Sequence, residues 1–80
     1  MKNSIQPKLY ISTKTRSIGL QLLNKLEISI TAPLAFYLGV NPSYDGHQAT
    51  FIWAEYFLEK NPNAEFSEIL EAFLALVPKY

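Results

Sequence analysis

His47 is the one imidazole in the chain, and Asp45, two residues before it, is the one carboxylate placed to orient it toward a serine nucleophile. Two residues inside an Asp45-Gly46 turn fix such a pair only loosely, and the simpler expectation is that His47 starts a helix and is solvated or packed on a neighbour. The chain has no cysteine. A thiol nucleophile and a disulfide are therefore excluded, and a single histidine among scattered acids does not make a zinc site. Glu55 and Glu59 stand one helical turn apart, and with Glu65, Glu68 and Glu71 they read as the wet faces of helices, not as carboxylates paired across a cleft. Three glycines, none in a phosphate-cradling arrangement, leave no dinucleotide or phosphate-loop fingerprint. Catalysis is the least expected class, with no cofactor and no metal.

These side chains need elements to carry them, and the strongest periodicity lies at the C-terminal end. Phe66, Ile69, Leu70, Phe73, Leu74 and Val77 recur at helical offsets, with Asn61 or Asn63 as the expected cap after the Asn61-Pro62-Asn63 break. Residues 47–60 read as a second helix. Gln48, Glu55 and Glu59 form one stripe of it, with Ala49, Thr50, Trp53, Ala54 and Phe57 opposite; Trp53 and Phe57 are the expected core. Ile52 falls inside the acidic stripe and Phe51 on its border. Val40 to Gly46 is a loop by its turn residues. Before it, Thr31 and Pro33 suit a helix start, and Gly39 supplies the left-handed residue that ends many helices. Ile18, Leu22, Leu23 and Leu26 give a further helix over residues 17–26, in which Gly19 costs about 1 kcal/mol relative to Ala. The β-prone runs 9–13 and 27–31 are candidates for a short pairing around that helix. The expected fold is mainly α, a small single-domain bundle of three to four helices, with an α+β alternative if that pairing forms. Residues 1–8 read as an arm and 9–80 as the folded core.

Charge is distributed unevenly. Lys2, Lys8, Lys14, Arg16 and Lys25 precede every acid; from Glu27 onward seven acids face only Lys60 and Lys79. The formal net charge of zero hides this polarity, which implies either an internal clasp or two surfaces for two partners. At 49% hydrophobic and with eleven aromatic residues among 80, the composition is rich enough to fold without staples, and too rich for all the rings to be buried in so small a domain. Residues 1–8 lack the apolar run of a signal peptide, and residues 32–40 are interrupted and too short to span a bilayer. A soluble, cytoplasmic protein with no membrane partner is expected.

Leu34-Ala35 with Leu38-Gly39, a helix holding Trp53 that ends in Asn61-Pro62-Asn63-Ala64, and then Ile69-Leu70 with Ala72-Phe73-Leu74, in that order, resemble the later part of death-fold adaptor domains. The loop between Gly39 and His47 departs from the pattern, being too short for that family's intermediate helices. The resemblance implies assembly through helical surfaces and no catalysis.

The residues themselves point to the same class: a non-enzymatic module that binds a protein and regulates or inhibits it. Phe51, Ile52, Glu55 and Glu59 form the expected apolar patch with an acidic rim, and Lys14 with Arg16 a second, basic site. Head-to-tail self-association is compatible with the polarity. The alternative is a nucleic-acid-binding regulator whose Lys8, Lys14, Arg16 and Lys25 track phosphates while Tyr10 stacks on a base.

Overall fold

The computed structural model describes residues 11–26 and 33–78. Over these the chain forms four helices and no strand: α1 (Thr13–Asn24), α2 (Leu34–Leu38), α3 (Gly46–Lys60) and α4 (Phe66–Leu76). The mainly helical bundle read from the periodicity is the observed fold. Of the candidate β runs, residues 9, 10 and 27–31 lie outside the described residues, and Thr13 belongs to a helix.

α1 begins four residues earlier than its apolar spacing suggests, because Ser12 caps it. The Ser12 hydroxyl accepts from the Thr15 amide at 3.1 Å and donates to the Thr15 hydroxyl at 2.9 Å, which satisfies two polar groups at a helix start. α2 is a single apolar turn closed by Gly39 at φ 76°, the left-handed conformation that glycine adopts without steric cost. Thr31, the expected cap, lies outside the described residues, and Pro33 occupies the N-cap position.

α3 starts at Asp45, whose Oδ1 accepts from the Gln48 amide at 2.8 Å. It ends at Asn61, whose backbone and side-chain nitrogens both donate to the Phe57 carbonyl, at 2.8 and 3.0 Å. Asn61 thus closes α3 and does not open α4. Glu65 stands at the N-cap of α4, its amide donating to Glu68 Oε1 at 2.9 Å, half of a capping box.

α3 is the central helix. It packs on α1 and α2, and Trp53 reaches Phe73 of α4 with ring centroids 5.5 Å apart. Neighbours on several sides bury more of its circumference than one stripe: Ala49, Thr50, Ile52, Trp53 and Ala54 are all core. Thr50 is tolerated there because its hydroxyl donates to the Gly46 carbonyl at 2.8 Å. A smaller second cluster, Leu23, Leu34 and Val77, ties α1, α2 and the end of α4 together.

Candidate protein-docking surface

The six residues expected to contact partners are not one open patch. Ile52 is only 4% exposed and belongs to the main core, which corrects its assignment to a surface. The acidic-stripe reading presumed a single buried face on α3, whereas neighbouring helices cover several. Phe51 is half-buried, and its ring lies so close to Gly19 that a methyl group there would overlap its Cδ1 and Cε1. Arg16 adds to this cover, its guanidinium carbon standing 5.8 Å from the Phe51 ring centroid. The supposed acidic and basic sites therefore meet: one member of each holds α1 against α3.

Lys14 and Glu59 are exposed and Glu55 is half-buried. Glu55 Oε1 is shielded from solvent with no hydrogen-bond partner. The Asp45 and His47 pair does not act as a unit: both side chains are exposed, and the Asp45 carboxylate is engaged in capping α3. Among the described residues no group of three or more His, Cys, Asp or Glu is arranged to hold a metal ion, and no helix is long and apolar enough to cross a membrane.

The surface that does stand open is elsewhere. Phe36 is 69% exposed, Leu20 51% and Leu76 43%. Phe36 owes its position to the geometry of α2, whose inward residues are Leu34, Ala35 and Leu38; the ring between them points away from the core. It rests edge-on against Tyr37, centroids 5.7 Å apart at 72°, an arrangement that favours the ring quadrupoles. In sequence the five consecutive apolar residues of α2 have no polar side, so nothing marks Phe36 as the outward one. Leu20 carried a signal that could have been used: it lies off the Ile18, Leu22, Leu23 and Leu26 face.

Between the end of α3 and the start of α4 lies an open cleft of about 420 Å³, lined by Phe57, Pro62, Ala64 and Glu68 with Asn61 and Asn63. Its Phe57 wall stacks on Trp53, centroids 5.2 Å apart. With one carboxylate and amide side chains it has room for an apolar group but no constellation for acid-base or nucleophilic chemistry. In comparisons with known proteins, no family model, curated protein or solved structure matches the chain.

Proposed function

We propose that this protein is a non-enzymatic docking module that binds a protein partner and thereby regulates or inhibits it, with Phe36 as the anchor of the contact. The observation that carries this reading is the 69% exposure of Phe36 on a turn whose Leu34, Ala35 and Leu38 are core. A phenyl ring left in water forgoes about 2 kcal/mol that burial would supply, and rigidly presented aromatics are the residues on which binding energy concentrates in protein interfaces. The half-buried Tyr37 beside it extends the ring surface. The basic-arm alternative has no comparable observation behind it, since Lys8 and Tyr10, on which it also relies, lie outside the described residues.

The test is comparative capture from the native host with wild type, Phe36→Ser and Lys14→Ser. All three should unfold at nearly the same denaturant concentration, because both substituted residues are exposed. Specific capture should disappear only with Phe36→Ser. Equal capture by all three folded proteins would reject the anchor.

A further inference from the structure

We propose that two copies of this chain associate, with α1 of one protomer laid against α4 of its partner. Each of these helices carries what the other lacks. α1 and its C-cap present Lys14, Arg16 and Lys25 to solvent and no acid; α4 and its N-cap present Glu65, Glu68 and Glu71 and no base. Each also holds one leucine out in water, Leu20 on α1 and Leu76 on α4, and with Phe36 these are the large exposed hydrophobics of the described residues. No hydrogen bond or ion pair among the described residues joins these cations to these carboxylates within one protomer.

A second copy is the occupant favoured by charge. It supplies a basic helix with an exposed leucine to the acidic helix of the first, and its zero formal net charge means that two copies approach without long-range repulsion. Arg16 and Leu20 lie one helical turn apart on α1, and Glu68, Ala72 and Leu76 follow at the same spacing on α4. Ala72 and the exposed Ala75 leave room beside Leu76 for an incoming leucine. A two-fold arrangement uses both α1 to α4 contacts at once and closes the assembly. Phe36, on α2, is on neither helix, so this pairing goes beyond the docking role proposed above and does not depend on it.

Sedimentation equilibrium of the full chain tests the pairing. The mass should rise with concentration toward twice that of the monomer in dilute buffer and fall back at about 0.5 M salt, where the screening length drops below about 5 Å. Leu20→Ser and Leu76→Ser should each weaken association by about tenfold or more. Arg16→Glu in one protein, and Glu68→Lys in another, should each self-associate poorly, and mixing the two should restore a dimer, because these are the charges that share a face with Leu20 and Leu76. Phe36→Ser should leave the mass unchanged. A monomer at every concentration up to about 1 mM overturns the proposal, as does association indifferent to both leucine substitutions. A monomer that still captures a protein through Phe36 removes this pairing while leaving the docking role in place.

Discussion

Gly19 is the residue whose side chain matters by its absence, because Phe51 fills the space where a Cβ would stand. Alanine there should lower stability: overpacking a close contact costs about 1 to 3 kcal/mol, against a helix-propensity gain of about 1 kcal/mol. Chemical denaturation of Gly19→Ala should show the loss. Phe51→Leu, destabilising by itself, should recover part of it in the double variant, since two residues in contact are not additive. Glu55 presents the opposite case, a polar atom without a partner. Its Oε1 is shielded and unbonded, so Glu55→Met should leave the unfolding free energy unchanged or raise it by about 1 kcal/mol. A clear fall in stability would show that the carboxylate has a structural role that its contacts do not reveal.

At the scale of elements, the helices were largely legible in sequence while their ends and the depth of their burial were not. α4 announced itself through Phe66, Ile69, Leu70 and Phe73, because an amphipathic helix packed on one side keeps a strict period. α3 broke that rule at Ile52, which periodicity assigned to the wet face and packing placed in the core. Local spacing describes one face of one helix; it holds no information about how many neighbours that helix will have. Caps were misplaced for a related reason. Ser12, Asp45 and Glu65 each occupy an N-cap, yet short polar residues stand before and after every helix, and only the backbone conformation chooses among them. Asp45 therefore earned attention as a partner for His47 while its carboxylate caps α3. Asp45→Ala should cost about 1 kcal/mol through the lost bond to the Gln48 amide. Asp45→Asn should recover most of that loss, because the amide oxygen still accepts; equal stability for wild type and the alanine variant would contradict the capping role.

For the whole molecule, the division between two chemically identical side chains decides what is structure and what is surface. Phe73 is 0% exposed and Phe36 is 69% exposed. Phe73 connects α4 to the central helix through Trp53, which in turn stacks on Phe57, so three rings run through the bundle as one packed unit. Truncating Phe73 to alanine should cost about 3 to 5 kcal/mol. A chain of 80 residues has only about 4 to 12 kcal/mol of stability in total at the usual 0.05 to 0.15 kcal/mol per residue. Phe73→Ala should therefore lose from about a quarter to all of the wild-type stability and unfold at a much lower denaturant concentration, whereas Phe36→Ala should unfold at nearly the wild-type midpoint. Trp53 is the single tryptophan and is 7% exposed, which makes its fluorescence a direct reporter of this ring cluster. In Phe73→Ala the emission should shift to the red before any denaturant is added; in Phe36→Ala it should overlay the wild type. If the two alanine variants lost stability equally, the exposed ring would be part of the core, and its availability to a partner would have to be abandoned.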